Sequence, residues 1–208
     1  MNDLEPFSYP STAHERRHGP KGYSNFSSFK PWLRDEFVFR CVYCLNRERW
    51  YPDGSASFSV DHLYPKTVTP ERENDYTNLV YSCHRCNSLK QDRLTLDPTI
   101  TPLSRHLRVD EAGNVRATTP DGAKMIDLLQ LNHPTYISRR VFYKELAILY
   151  RRSHDDKQIH NLYIHAFGYP DDLPDLNSLK PPLGNSLAFN VRESHHARKM
   201  RGELNNVH

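Results

Sequence analysis

Cys41-Val42-Tyr43-Cys44, Ser59-Val60-Asp61-His62, Asn78-Leu79 and Cys83-His84-Arg85-Cys86-Asn87 follow one another along the chain, with Lys90 closing the stretch. All 4 cysteines of the 208 residues lie here, as two Cys-x-x-Cys pairs. A Cys-x-x-Cys knuckle places two thiolates on one ion, and two knuckles complete the tetrahedral shell that Zn²⁺ prefers. An iron–sulfur cluster is the rival occupant of the same four thiolates. A thiol redox motif would need a surrounding βαβ pattern, which neither knuckle has. A closed four-thiolate shell leaves no position for a substrate, so the expected role of the metal is structural. Between Cys44 and Cys83 lie 38 residues, more than a plain zinc ribbon uses, and that excess has to form structure of its own.

The intervening chain reads as strand, loop, return and helix. Phe58 to Leu63 is a short run of strand formers that ends on Asp61-His62. Pro65, Pro70 and a run of charges make a loop, and Asp75 to Val80 brings the chain back. Cys83 to Leu94 has helical character, with Cys83 and Cys86 on one face, and Pro98 stops it. The unit is ββα. Taken singly, an Asp-His dipeptide, a turn asparagine at 78, a polar helix residue at Asn87 and a solvated Lys90 are all ordinary. Together they combine a side chain suited to proton transfer near neutral pH with a neighbouring carboxylate that favours a hard cation such as Mg²⁺ or Mn²⁺.

The combined pattern Cys-x-x-Cys, Asp-His, Asn-Leu, Cys-x-x-Cys-Asn-x-x-Lys resembles the HNH endonucleases, or ββα-metal nucleases, over residues 41–90. More weakly, Leu128 to Arg139 looks like the region that follows the nuclease core in bacterial members. The resemblance implies an α+β fold: a ββα-metal core stapled by a four-cysteine zinc site, then a helix-rich extension with a short hairpin. It implies metal-dependent hydrolysis of DNA phosphodiester bonds, with RNA as the other substrate class. In that scheme His62 is the general base and Asn78 orients its imidazole. Asp61 and Asn87 bind one Mg²⁺ or Mn²⁺, Lys90 contacts a neighbouring phosphate, and Lys66 and Arg85 contact the nucleic-acid backbone. Cys41, Cys44, Cys83 and Cys86 hold Zn²⁺. The third letter of the family name is His, and this chain has Asn87 there. An Asn carbonyl still ligates Mg²⁺, and His84, one turn earlier, is the substitute ligand. The departure keeps a second reading open: a zinc-stabilised nucleic-acid-binding module with an inactive nuclease site. A zinc-stabilised protein-interaction module is the third.

Outside this core the readings are coarser. Residues 1–30 are polar, with a basic patch at Arg16, Arg17, His18 and Lys21, and read as a flexible basic arm. A short helix is expected from Pro31 through Trp32, Leu33 and Phe37, within a core spanning 31–97. Residues 98–168 form the extension. Leu107-Arg108-Val109 and Val115-Arg116-Ala117 flank a turn as a hairpin, Gly122 to Leu131 suits a helix, and Tyr136 to Arg152 is the strongest helix of the chain. Phe142, Leu146, Leu149 and Tyr150 fall at helical spacing and are expected as its core stripe, with Arg139, Arg140, Lys144, Arg151 and Arg152 solvated. Residues 169–208 read as a linker-like segment and a polar tail, in which His195 and His196 are expected to be disordered.

Bulk properties bound the function. Hydrophobic residues make up 37%, less than a globular domain usually has, so a metal staple would help a marginal core. The net charge of +3 is compatible with a phosphate-bearing partner without requiring one. No apolar run approaches the roughly 20 residues that cross a bilayer, and Met1 to Pro10 has no signal-peptide core. A cytoplasmic protein without a membrane partner is expected, a setting in which paired Cys-x-x-Cys motifs favour metal over disulfides. A homodimer or a partner protein is a further expectation.

Overall fold

The structure is a computed structural model that describes residues 5–187 and 191–207. Residues 1–4, 188–190 and 208, which belong to the expected arm, the linker-like segment and the polar tail, lie outside the described residues. The fold is α+β, and the chain divides into two units: Glu15–Leu94 with Tyr169–His208, and Met1–His14 with Thr95–Gly168.

The first unit contains the cysteines. Strands β1 (Phe58–His62) and β2 (Leu79–Cys83) pair antiparallel, with Phe58 opposite Cys83, Asp61 opposite Val80 and His62 opposite Leu79. Two strands alone are marginal in water. Here β2 is buried along its whole length. Helix α1 (Lys30–Glu36) has Pro31 in its first turn and buries Trp32 and Leu33, a residue type preset for that position. Helix α2 (His84–Lys90) starts directly after β2 with Cys83 as its N-cap. It ends at Lys90 rather than at Leu94 because Gln91 takes a left-handed conformation, φ 50°. Phe58 stacks on Tyr81 with ring centroids 5.0 Å apart. Arg34 forks onto Glu48 through bonds of 3.0 and 2.9 Å, and the Tyr81 hydroxyl donates to the same carboxylate at 2.9 Å.

His18 and His195, from the expected flexible arm and polar tail, are buried in this unit. His18 is fully buried, with Nε2 2.8 Å from Asp35 Oδ2. His195, at the start of helix α6 (His195–Met200), places Nδ1 2.8 Å from Asp35 Oδ1 and donates its main-chain N–H to that oxygen at 2.7 Å. Two histidines more than 170 positions apart thus meet on one buried carboxylate of α1. Polar composition hides such packing, because a polar side chain is buried readily once its hydrogen bonds are made.

The second unit carries the expected hairpin, β3 (Leu107–Val109) and β4 (Val115–Ala117), paired antiparallel. It also holds helices α3 (Pro120–Leu128), α4 (Pro134–Arg152) and α5 (Lys157–Phe167). Helix α5 is an addition to the sequence reading; Asp156 caps it by accepting from the N–H groups of Gln158 and Ile159. Tyr163 stacks on Tyr150 of α4 at 4.0 Å. The core stripe expected on α4 is corrected: Phe142 is 60% and Leu149 44% exposed. Arg140, expected in solvent, is buried instead. Its guanidinium donates to the carbonyls of Gly113 and Leu131, each at 2.6 Å. Those carbonyls end the hairpin turn and the chain after α3, and satisfying them fixes which face of α4 turns inward. Gly113, at φ 80°, allows the close approach: a Cβ there would meet Ile137 O and Val141 Cγ2 at 3.0 Å.

Burial alone would raise the Asp35 carboxyl, yet hydrogen bonds from His18 and His195 outweigh it and hold the group well below the usual carboxylate range. A depressed carboxylate pKa contributes stability above the unfolded value, near 4, and loses it as pH falls toward the folded value. Asp35→Asn is expected to destabilise the protein by about 3 kcal/mol at pH 7, measured by denaturant unfolding, and the gap to wild type should narrow as the pH drops below about 4.

Candidate functional site

The register of β1 and β2 carries Cys83 to the knuckle formed by Cys41 and Cys44. There Leu45 sits at φ 62° and donates its N–H to Cys41 O, while Cys41 N–H donates to Asn46 O. One ligand atom from each of Cys41, Cys44, Cys83 and Cys86 lies within 4.8 Å of every other, and all four residues are buried. The Cys44 and Cys83 sulfurs are 3.7 Å apart. A disulfide requires about 2.05 Å, whereas Zn–S bonds of about 2.3 Å in a tetrahedron give edges of about 3.8 Å. Four sulfurs in this volume fit one tetrahedral cation. Burial pushes the Cys41 thiol up, contacts with the other sulfurs push Cys86 up, and the same contacts hold Cys83 low. Without a cation the cluster resists carrying four negative charges. Among the described residues His84, exposed at the start of α2, joins no group of three or more such ligands.

Helix α2 runs back along β1, so its residues meet the strand in order. Asn87 Nδ2 donates to Ser59 Oγ at 2.8 Å, which leaves the amide carbonyl oxygen to face away from that bond. Lys90 Nζ donates to His62 O at 2.6 Å and to Asp61 Oδ1 at 3.3 Å. Asp61 is 4% exposed. Its Oδ2 accepts from the Tyr43 hydroxyl at 2.6 Å, and its Oδ1 accepts from the His62 N–H at 2.8 Å. Burial pushes the Asp61 carboxyl up; the charge of Lys90 and the bond from Tyr43 pull against it. Lys90, which the resemblance implied as a phosphate contact, is itself fully buried. Its ammonium is committed to Asp61 and to the strand.

The asparagine after the loop bonds to the loop itself. Asn78 is fully buried. Its Oδ1 accepts from Tyr64 N–H at 2.8 Å, and its Nδ2 donates to Tyr64 O at 3.0 Å and to Arg72 O at 3.2 Å. It closes the loop between the strands and makes no bond to the imidazole. The His62 ring is held instead by Nε2, 2.9 Å from the main-chain oxygen of Glu73, and by the Phe26 ring, edge-on at 4.8 Å. A carbonyl only accepts, so Nε2 carries the hydrogen and the neutral ring keeps its lone pair on Nδ1. Asn78 is bonded to the loop whose Glu73 oxygen meets His62. Glu73 contributes a main-chain atom and Phe26 comes from a distant segment, so no residue-type signal marks either of them. Lys66 is exposed and pairs with Glu73 Oε1 at 3.4 Å, and Arg85 is partly exposed near the start of α2.

Cys83→Ser is expected to lower both the bound-metal content, measured by elemental analysis of the purified protein, and the melting temperature. Asn78→Ala should cost about 1–3 kcal/mol in denaturant unfolding, because the N–H of Tyr64 and two carbonyls lose a buried partner.

Three comparisons with known proteins bear on this arrangement. The HNH endonuclease family model matches residues 41–93, the stretch that holds both knuckles, β1, β2 and α2. The chain is similar to the Septu protein PtuB of Bacillus thuringiensis, 29% identical over 98 residues. That match covers 45% of this chain and spans only 37% of the relative's own length. No solved structure matches the chain. Where the HNH endonuclease family model matches, over residues 41–93, the structure places a ββα unit and a four-thiolate cluster.

Proposed function

We propose that this chain is a metal-dependent endonuclease that hydrolyses phosphodiester bonds in DNA, with His62 as the general base. The observation that carries the reading is the tautomer set by Glu73. With Nε2–H bound to that main-chain oxygen, the lone pair on Nδ1 is free to take a proton from water. Phe26 against the ring limits its rotation, and Asn78 keeps the Glu73 loop in place through Tyr64 and Arg72.

The donor set for a second cation is hard: the Asp61 carboxylate and the Asn87 carbonyl oxygen, a pair that suits Mg²⁺ or Mn²⁺ rather than a soft metal. Bound there, a divalent cation supplies charge stabilisation to the phosphoryl oxygens and to the leaving oxygen. Lys90 and Tyr43 position Asp61 for that task. The zinc cluster does no chemistry. It ties α2, which carries Asn87, to the strand pair that carries His62. Lys66 and Arg85 are the backbone contacts in this reading. One such site addresses one strand, so cutting both takes a second copy or a second visit.

A second reading follows from Lys90. Its ammonium sits 3.3 Å from Asp61 Oδ1, so it competes with a divalent cation for the same carboxylate. If it prevails, the domain binds nucleic acid without cutting it. Supercoiled plasmid incubated with Mg²⁺, Mn²⁺ or EDTA separates the two. The endonuclease predicts conversion to open-circle or linear DNA that needs the divalent cation and falls by roughly 10²–10⁴ in His62→Ala. Plasmid left intact by protein that retains its zinc and binds DNA would assign the site to binding alone.

A further inference from the structure

Arg40 precedes the first zinc knuckle. Its Nε is enclosed and has no hydrogen-bond partner among the described residues. The residue as a whole keeps partial exposure. A guanidinium presents five N–H donors, and leaving enclosed donors unmet is costly. The acidic groups on the segments around it are committed elsewhere. Glu48 and Asp172 bind Arg34, Asp171 lies beside Arg49, Glu193 and Glu203 take Arg201, and Asp35 is occupied by His18 and His195.

Other cations converge on the same place. Arg40 pairs with Arg47 across an isolated β-bridge, and Arg47 is buried with its guanidinium 5.6 Å from the Trp50 ring centroid. Phe39, next to Arg40, meets the Tyr169 ring at 6.0 Å, and His195 meets it at 5.1 Å. Arg198 lies one turn beyond His195 on α6. Arg17 donates to Glu193 O at 3.0 Å and stands 3.8 Å from Asp35 Oδ2. Burial pushes the Tyr169 phenol up, while Arg198, Arg40, Arg47 and Arg17 each pull it down. The geometry that groups these side chains is the Arg40–Arg47 bridge together with the Phe39 and His195 rings against Tyr169.

We propose that Arg40, together with Arg17, Arg47, Arg198 and the Tyr169 hydroxyl, forms a binding site for a phosphate group. A tetrahedral oxyanion supplies several acceptors and matches the planar fork of arginine, and its charge offsets the clustered cations. The site shares no residue with the His62, Asp61 and Asn87 set. Assigning its phosphate to a nucleic-acid strand rests on the nuclease reading; binding of a phosphate group does not.

The test uses zinc-loaded wild type and Arg40→Met. Melting is followed at constant ionic strength in chloride and in inorganic phosphate. Phosphate should raise the wild-type melting temperature through linkage and leave Arg40→Met unmoved, while in chloride the variant melts no lower than wild type. Equal phosphate shifts in the two proteins, or none in wild type, would overturn the proposal. So would a variant that loses zinc or melts lower in chloride, because Arg40 would then be the structural counter-charge of the thiolate cluster. Duplex affinity measured against salt, without added divalent cation, identifies the source of the phosphate. A slope of log K against log salt reduced by about 0.9 in the variant places it on the nucleic-acid backbone. An unchanged slope beside a lost phosphate shift assigns the site to a free phosphate compound. Failure of the nuclease reading is seen separately, as uncut plasmid alongside an intact phosphate shift.

Discussion

The antiparallel register of β1 and β2 fixes both halves of the domain at once. Pairing Phe58 with Cys83 brings the second knuckle to the first, and pairing His62 with Leu79 fixes where the Glu73 loop must close. Because α2 leaves β2 directly at Cys83, the same register decides which residues of α2 lie over β1, so Asn87 meets Ser59 and Lys90 meets Asp61. A slip of one residue would turn every strand side chain to the opposite face. It would separate the sulfurs and take Asp61 away from Tyr43 and Lys90. A shell of four thiolates around one cation resists such a slip from outside the sheet, which a two-stranded ribbon cannot do alone.

Buried charge is the second organising feature of this unit. Asp61 is met by Tyr43 and Lys90, Asp35 by His18 and His195, and Glu48 by Arg34 and Tyr81. Each set joins residues from separate segments, and each carboxylate is at most 4% exposed. Removing one partner would leave the other charge buried and uncompensated. Such sets are selective about geometry in a way that the apolar core of a chain with 37% hydrophobic residues is not. Arg40 departs from this rule, because among the described residues its Nε has no hydrogen-bond partner.

The two cysteine knuckles, the ββα order, the hairpin at residues 107–117 and the places of helices α1 and α4 along the chain were legible in the sequence, because spacing and local periodicity report directly on ligand geometry and on secondary structure. Cys-x-x-Cys places two sulfurs on one ion whatever surrounds it, and a proline at the first turn starts a helix on local grounds alone. The Asp61-His62 pair was also visible as a candidate, since residue type restricts the chemistry a side chain can perform. Partners were not legible. Lys90 reads as a solvated lysine until α2 is laid over β1. Asn78 reads as a partner of His62 until the loop shows that its amide is spent on Tyr64 and Arg72. The apolar spacing of Phe142 and Leu149 predicts burial, but Arg140 decides which face of α4 turns inward by satisfying carbonyls that only the folded chain brings near. The sequence by itself determined the ligand types, their local spacing and the residue types of the candidate site. The tertiary structure alone decided which donor meets which acceptor, because hydrogen bonds between distant segments depend on register and packing and leave no periodic trace in the chain.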